Sequence, residues 1–410
     1  MHELEPRRTE FSNGAVLLTA SRPYERDVVI DLWIPYGQIH EVPEAHFLEH
    51  MAFKSNKFRS AERIAYDTEG RGIKYRAATY ADKMNFYMLS PAEHVKTALK
   101  ILYECFVNDQ FVPEEVDLEK GVVIGDLLQR KSTPYYSIRR KVENRAFENH
   151  PLEITEETEE SIQAVTPQKL NKSKQRFFGP YNLCLGIVGN INQDEIIQLT
   201  NETFGRLNRT GNEKVNFPYK DRTYWEELEE KYIDTGAVFI GFPVVGLDHP
   251  DTYALHFISY LLGRDGYLFS GRLHQELRRK RGLVYAADSN YERYSGVGLF
   301  LLGSVGINKG NIRTVRELLI EQLERLKQEE ISEEELERVK TAALVQEYRN
   351  NHKGISGIAE WLALTELYEI PWKLEHYEEQ ISSLTQQRIR EVTNRYFDGK
   401  YVIGEVIPKD

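Results

Sequence analysis

The pentapeptide His46-Phe-Leu-Glu-His50 has the residue types and spacing best suited to chemistry in this sequence. In a helix, residues four positions apart share a face, so His46 and His50 can converge on one metal ion. Glu49 lies beside that face, where its carboxylate can accept a proton from an attacking water. A chance match is the alternative, but the apolar neighbours of these residues indicate a packed helix with an open histidine face. The pattern therefore favours a zinc site.

Strand and helix patterns surround this pentapeptide on both sides. β-Branched and aromatic runs at 16–19 and 28–35 predict neighbouring antiparallel strands, followed by a helix near 44–53. Two extended runs within 74–89 predict a second strand pair, and a helix is predicted from 113 to about 131. These elements would have to hold the histidines, the glutamate and any further metal ligand in place.

The second half of the chain repeats this order of elements at an offset near 220 residues. The pattern predicts an α+β fold with two tandem homologous domains, each a largely antiparallel sheet packed against helices. The N-terminal, zinc-binding domain would span 1–210 and the C-terminal domain 223–410, joined by a linker at 211–222. His256 lies in the helix that parallels the histidine helix, but no Glu-His pair accompanies it. We therefore predict a packed His256 and one zinc per chain.

Composition restricts the compartment and the partners. The chain has 53 basic and 64 acidic residues, a net charge of -11, so nucleic acid is not an expected partner. It has no apolar run of the roughly 20 residues that span a bilayer, so no membrane partner is expected either. Two cysteines and the absence of a secretory or mitochondrial leader pattern favour a reducing, cytoplasmic location.

The His-x-x-Glu-His order is the inverzincin signature. With the repeated domain, the sequence resembles the pitrilysin/insulinase family, especially its short members akin to mitochondrial processing peptidase. The resemblance implies an α/β-roll fold for each domain and half of a clamshell for the chain. It also implies a third zinc ligand about 76 residues after the second histidine. That position is Asp126, where the family has glutamate. Glu119 matches the family's other acidic residue, which supports the site without being the main ligand.

The replacement of glutamate by Asp126 requires a closer approach of its helix, because aspartate is one methylene shorter. Gly121 and Gly125 flank the segment. They would either permit that closer approach or mark a site that has lost its function.

Two further segments match the family's substrate-binding residues. Arg278 and Tyr285 have the seven-residue spacing of an Arg-Tyr pair that reaches the substrate, and both can hydrogen-bond a scissile carbonyl. Ala77 and Thr79 match a strand that pairs with extended peptides, but Arg76 replaces an asparagine there. A guanidinium at that position would favour acidic substrates or an internal ion pair.

The resemblance implies a zinc metalloendopeptidase that cleaves unfolded peptides or small protein segments in an enclosed chamber. Its catalytic residues would be Glu49, Glu119, Arg278 and Tyr285. It also implies a homodimer or a heterodimer with a related chain. One alternative is a non-catalytic or weakly active partner subunit with the same fold, which Asp126 and Arg76 favour. The other, a metal hydrolase acting on non-peptide substrates, has no specific support in the sequence.

Overall fold

The computed structural model describes residues 5–133, 135–153, 156–208, 210–211, 226–231, 235–264, 269–351, 354–371 and 374–408. The strands are β1 (Arg7–Glu10), β2 (Val16–Ser21), β3 (Asp27–Ile34), β4 (Lys74–Thr79), β5 (Met84–Pro91), β6 (Cys184–Gly189), β7 (Glu226–Lys231), β8 (Gly236–Val245), β9 (Ala286–Arg293), β10 (Val297–Ile307) and β11 (Val402–Ile407). The helices are α1 (Glu44–His50), α2 (Ala61–Glu69), α3 (Val95–Phe106), α4 (Pro113–Ser132), α5 (Tyr136–Ala146), α6 (Glu159–Gln163), α7 (Pro167–Phe177), α8 (Gln193–Glu202), α9 (Thr252–Leu262), α10 (Ile312–Gln328), α11 (Glu333–Asn351), α12 (Gly354–Leu367), α13 (Leu374–Ser382) and α14 (Gln386–Tyr396).

The chain forms two compact units, each a sheet packed against helices. The first unit comprises Met1–Leu128, Ile154–Val215 and Arg349–Trp372; the second comprises Gln129–Glu153, Asn216–Tyr348 and Lys373–Asp410. Each predicted half therefore contributes one helical segment to the other unit: α5 belongs to the second unit and α12 to the first. Apart from Gly211, the predicted linker at 211–222 lies outside the described residues.

The six-stranded sheet of the first unit has the order β1-β2-β6-β3-β5-β4. The prediction that the strands at 16–19 and 28–35 are neighbours is wrong, because β6 lies between β2 and β3, parallel to β2 and antiparallel to β3. Strand β6 is buried along its whole length. An apolar strand that is covered on both faces is accommodated best in the interior of a sheet.

The five-stranded sheet of the second unit has the order β7-β11-β8-β10-β9. Strand β11 is parallel to β7 and antiparallel to β8, which repeats the arrangement of β6 between β2 and β3. One face packs against a core built from α9, α10 and α14, and α5 covers the other. Apart from the additional strand β1 of the first unit, the two units therefore share one strand order, in agreement with the two similar domains that the repeated sequence pattern predicts.

A glycine in each sheet allows a helix to pack closely on its outer face. A Cβ atom on Gly186 of β6 would overlap the carbonyl oxygen of Ala359 in α12. At the corresponding strand of the second unit, a Cβ atom on Gly404 of β11 would crowd Val142 of α5. The exchanged helices α5 and α12 thus occupy matching places in the two units.

Both cysteines, Cys105 and Cys184, are buried and carry free thiols. Burial raises the pKa of the Cys105 thiol to about 12, because the thiolate would lose its hydration. Cys105 is therefore a packing residue, not a nucleophile. Within the described ranges, none of the helices has the length and apolar character that crossing a bilayer requires.

Candidate metal centre

Helix α1 turns its apolar side to the core and its histidines to one another. Ala45, Phe47 and Leu48 are buried in the core of the first unit. The rings of His46 and His50 have centroids 4.8 Å apart and stand almost perpendicular, at 88°. This is the shared face that the i, i+4 spacing predicts.

Asp126 of α4 completes a group of three ligand atoms. Its Oδ2 lies 3.3 Å from Nε2 of His46. His46, His50 and Asp126 each offer one ligand atom, and these atoms all lie within 4.8 Å of one another. Ligand atoms around a tetrahedral zinc are roughly 3.3–3.5 Å apart, and two histidines with one carboxylate form a known catalytic set. These three residues therefore suit a zinc ion, which requires only that the two most distant ligand atoms move slightly closer together.

Gly121 and Gly125, which flank the ligand segment, do not bring α4 closer to another element. A Cβ atom on either glycine would have no described atom within 4 Å, leaving out the helix's own backbone. Of the two explanations that the sequence left open, close approach at these glycines is therefore not supported.

Glu119 supports His50 from behind the three ligands. Its Oε1 lies 2.9 Å from Nδ1 of His50, and its Oε2 forms an ion pair with Nζ of Lys54 at 2.5 Å. The residue is only 5% exposed. A carboxylate on the second ring nitrogen orients a histidine and leaves the other nitrogen for the metal. This geometry suits Glu119 to orienting His50.

Glu157, which is not among the site residues predicted from the sequence, occupies the same kind of place beside His46. Its Oε1 lies 3.1 Å from Nδ1 of His46, and both side chains are 9% exposed. The contact joins residues 111 positions apart, so no motif spacing reveals it. The only signal in the sequence is the acidic run from Glu156 to Glu160, which by itself predicts a solvated surface.

Glu49, the predicted base, is held against the edge of the sheet. The backbone N–H of Thr79 in β4 donates a hydrogen bond of 2.7 Å to Oε2 of Glu49. The Thr79 hydroxyl also contacts the carbonyl oxygen of Ala45, at 3.4 Å. The end of β4 and helix α1 are therefore joined through Glu49, the residue that would accept the proton.

Among the described strands, β4 lies at the edge of its sheet and pairs with β5 alone. Its backbone bonds alternate in direction, as in any antiparallel pair. The Tyr80 N–H donates to the Lys83 carbonyl oxygen, toward β5. The Thr79 N–H points the other way, out of the sheet edge, and donates to Glu49. By the same alternation, the Ala77 N–H and C=O point outward, toward any added strand. Ala77 and Thr79 thus stand where the sequence predicts a peptide-binding edge.

Arg76 lies on the face of β4 opposite α1. Its guanidinium carbon is 4.6 Å from the centroid of the Tyr87 ring, and the Tyr87 hydroxyl contacts Ser356 of α12 at 2.8 Å. Ala77, by contrast, packs against the core beneath α1. Arg76 is nevertheless exposed, so its charge can still act on an acidic substrate as well as within the protein.

Arg278 and Tyr285 are brought together in the second unit. Arg278 lies in a π-helical turn, His274–Arg279, and its Nη1 donates a 2.7 Å hydrogen bond to the Tyr285 carbonyl oxygen. Its guanidinium carbon lies 5.2 Å from the Tyr285 ring centroid. The Tyr285 side chain is 71% exposed. The seven-residue spacing therefore produces one exposed cluster with hydrogen-bond donors.

Two family models match consecutive parts of the chain. Residues 16–158 match the one described as Insulinase (Peptidase family M16). Residues 164–343 match the one described as Peptidase M16 inactive domain. With the inverted zinc motif and the repeated fold, these matches show that the chain belongs to the insulinase, or M16, family, in its short bacterial type.

Relatives and solved structures agree with this assignment. An uncharacterized zinc protease of Bacillus subtilis is 28% identical over 344 residues, 82% of this chain and 81% of that protein. Another uncharacterized zinc protease, from Rickettsia bellii, is 28% identical over 339 residues, 81% of each chain. The crystal structure of a protease from Helicobacter pylori has a TM-score of 0.89 at 23% identity, covering 99% of this chain and 100% of that one. A peptidase M16 inactive domain from Pseudomonas fluorescens has a TM-score of 0.88 at 19% identity, covering 99% and 98%.

Proposed function

We propose that this protein is a zinc-dependent endopeptidase that cleaves unfolded peptides or small protein segments. The observation that carries the proposal is the convergence of His46, His50 and Asp126 beside Glu49. Zinc bound by these three residues would act as a Lewis acid toward a peptide carbonyl and lower the pKa of a water. One zinc per chain is expected.

The residues of the chain would then perform four tasks. Glu49 accepts a proton from the attacking water and returns it to the leaving amine, as a general base and acid. The outward backbone groups of Ala77 hold the peptide as an added strand along β4. Arg278 and Tyr285 donate hydrogen bonds to the carbonyl oxygen as negative charge develops on it. Glu119 keeps His50 oriented throughout.

The test combines metal analysis with peptide cleavage. Purified protein should contain zinc and cleave an unstructured fluorogenic peptide, and a chelator should abolish cleavage until zinc is restored. Glu49→Gln should retain zinc but lose roughly 100- to 10,000-fold in turnover, because an amide cannot take up the proton. Glu44→Gln, in the first turn of the same helix, is the matched control and should keep wild-type turnover. Near-normal turnover of Glu49→Gln would remove Glu49 as the base.

A non-catalytic partner subunit is the second candidate. It is favoured by the match of residues 164–343 to a model described as an inactive domain, and by Asp126 in place of glutamate. This candidate predicts zinc-free protein, or zinc-loaded protein without cleavage of any unstructured peptide. Restored cleavage on addition of a related chain would then identify the role as that of a partner.

We also propose that two chains associate, as a homodimer or a heterodimer, and that the protein is cytoplasmic. The family resemblance supports the first, and the free thiols of both cysteines support the second. Sedimentation of the purified chain tests self-association. Mixing Glu49→Gln with Tyr285→Phe then tests sharing of the site, because recovered activity would mean that one chain's Tyr285 serves the other's metal centre.

A further inference from the structure

We propose that Glu157 is a positioning residue of the metal centre, which holds His46 in the orientation that zinc requires. The inference rests on the proposed zinc site, and it adds a residue that the zinc motif does not contain. It pairs Glu157 with His46 as Glu119 pairs with His50.

The first support for this inference is the geometry around the two ring nitrogens of His46. Oε1 of Glu157 lies 3.1 Å from Nδ1 of His46, while Nε2 of the same ring lies 3.3 Å from Asp126. The two nitrogens therefore face different carboxylates: Nε2 faces the predicted ligand Asp126, and Nδ1 faces Glu157. An imidazole whose Nδ1 donates to a carboxylate keeps its lone pair on Nε2, where the metal binds.

Burial strengthens the contact. The side chains of Glu157 and His46 are each 9% exposed, whereas the Asp126 side chain is 38% exposed. Water therefore screens the Glu157 contact less than it screens the ligand side. A hydrogen bond to a carboxylate is stronger in such a low-dielectric environment, and the negative charge makes the ring a better donor to zinc.

The backbone next to Glu157 is firmly anchored. Thr158 caps helix α6 with a reciprocal pair of bonds to Ser161, of 3.1 Å and 3.0 Å. Ile162 of the same helix is fully buried in the core of the first unit. A carboxylate attached to such a support can hold a ring in one orientation, as a positioning residue must.

The test compares three variants by zinc affinity, measured by competition with a chromogenic chelator. Glu157→Ala should bind zinc roughly 10- to 100-fold more weakly, the usual effect of removing such a carboxylate. Glu157→Gln should lose less, because its amide oxygen still accepts the Nδ1–H. Glu159→Ala removes an equal charge from the exposed start of α6 and should leave the affinity unchanged.

Two further measurements separate positioning from a general structural role. Zinc-free wild type and zinc-free Glu157→Ala should have the same unfolding temperature. The visible absorption spectrum of Co²⁺-loaded Glu157→Ala should differ from that of Co²⁺-loaded wild type. Equal zinc affinity of wild type and Glu157→Ala would overturn the positioning role while leaving the proposed peptidase intact. If Glu157→Ala binds zinc more weakly than wild type, and the wild-type protein cleaves no peptide, the positioning role is supported and the peptidase proposal is rejected. A wild-type chain that binds no zinc would overturn both.

Discussion

Helices α1 and α9 follow matching strands in the two units, yet of these two helices α1 alone carries the predicted metal ligands. The segment His46-Phe-Leu-Glu-His50 in α1 corresponds to His256-Phe-Ile-Ser-Tyr260 in α9. The first histidine and the two apolar spacers are preserved in kind. Glu49 is replaced by serine and His50 by tyrosine, so the second unit keeps the packing residues of the helix without its chemistry.

Burial explains what His256 does in α9. It is 1% exposed, and its Nδ1 contacts the Tyr377 hydroxyl at 2.8 Å. Its pKa is lowered well below the usual value near 6.5, because burial excludes the water that would stabilise an imidazolium. The predicted packing role of His256 matches this environment.

Helices α4 and α11 show the same contrast. They begin at Pro113 and Glu333, so positions 220 residues apart correspond. Val339 then matches Glu119, and Gln346 matches Asp126. Val339 is 1% exposed and Glu119 is 5% exposed, so one buried position holds valine in one unit and a charged residue in the other.

The buried charge of Glu119 therefore needs a reason other than packing. Burying a carboxylate costs free energy, and an apolar residue at such a position is often equally stable or more so. The second unit has the apolar choice, whereas the first retains an acid that contacts a histidine. If that reason is the metal site, substitutions in the first unit should impair zinc binding or catalysis, and matched substitutions in the second unit should not.

His46→Ala should abolish zinc binding and peptidase activity, because it removes one of three ligands. The matched variant His256→Ala should leave the zinc content unchanged and lower the free energy of unfolding by about 1–3 kcal/mol, the usual range for a buried truncation. Zinc analysis and denaturant titration measure the two effects. Loss of zinc from His256→Ala would mean that the second unit contributes to the metal site.

Tyr285→Phe should lower turnover roughly 100- to 1,000-fold, because it removes one donor to the developing oxyanion. Its control is Tyr66→Phe in the first unit. Tyr66 is 70% exposed and has the Arg63 guanidinium carbon 5.3 Å from its ring centroid, as Tyr285 has Arg278. Zinc content should be unchanged in both variants. Wild-type turnover of Tyr285→Phe would show that the Arg-Tyr spacing is coincidental.

Asp126→Ala should weaken zinc binding by roughly 100-fold or more, because even an outer carboxylate contributes 10- to 100-fold. Asp126→Glu should be tolerated, and Gln346→Ala at the matching position should have no effect on zinc. Chelator competition gives all three affinities. If Asp126→Ala binds zinc as wild type does, another acid is the third ligand, and Glu119 is the first candidate.

Acid should destabilise the second unit through His256. Above pH 6.5 the histidine is neutral in the folded and unfolded chains, so its contribution is constant. Below that pH the unfolded chain gains a proton that the folded chain excludes, and stability falls by up to about 1.4 kcal/mol per pH unit until the folded pKa is reached. Unfolding of zinc-free protein between pH 7 and pH 5.5 should be less pH-dependent in His256→Phe. Equal slopes would show that His256 is not buried neutral.

Gly121→Ala and Gly125→Ala should each raise the free energy of unfolding by about 0.5–1 kcal/mol, because alanine favours a helix and the space beside both glycines is open. Helix α11 already has Thr341 and Val345 at the matching positions. Zinc affinity should not change. Lower stability or weaker zinc binding in either variant would show that α4 requires a glycine at that position.

Much of the metal centre follows from local sequence. The i, i+4 histidines share a face in any helix, and α4 spans Pro113–Ser132 as its pattern predicts. The repeated order of strands and helices also predicts two similar sheets. The insertion of β6 between β2 and β3 and the exchange of α5 and α12 do not follow from it. Strand neighbours and helix exchange depend on which long-range packing is most favourable, and hydrophobic periodicity records only which face is buried.

Side-chain chemistry and helical periodicity are local properties, so the sequence alone identifies the residues that could bind a metal and the half of the chain that carries them. The contacts between acids and histidines, in contrast, are visible only in the folded chain. Asp126 approaches His46 because α4 packs near α1, Glu119 reaches His50 from the same helix, and Glu157 reaches His46 across 111 residues. The outward turn of the Thr79 N–H toward Glu49 likewise required β4 to be an edge strand. Contacts of this kind arise from packing among distant segments, which no local pattern encodes.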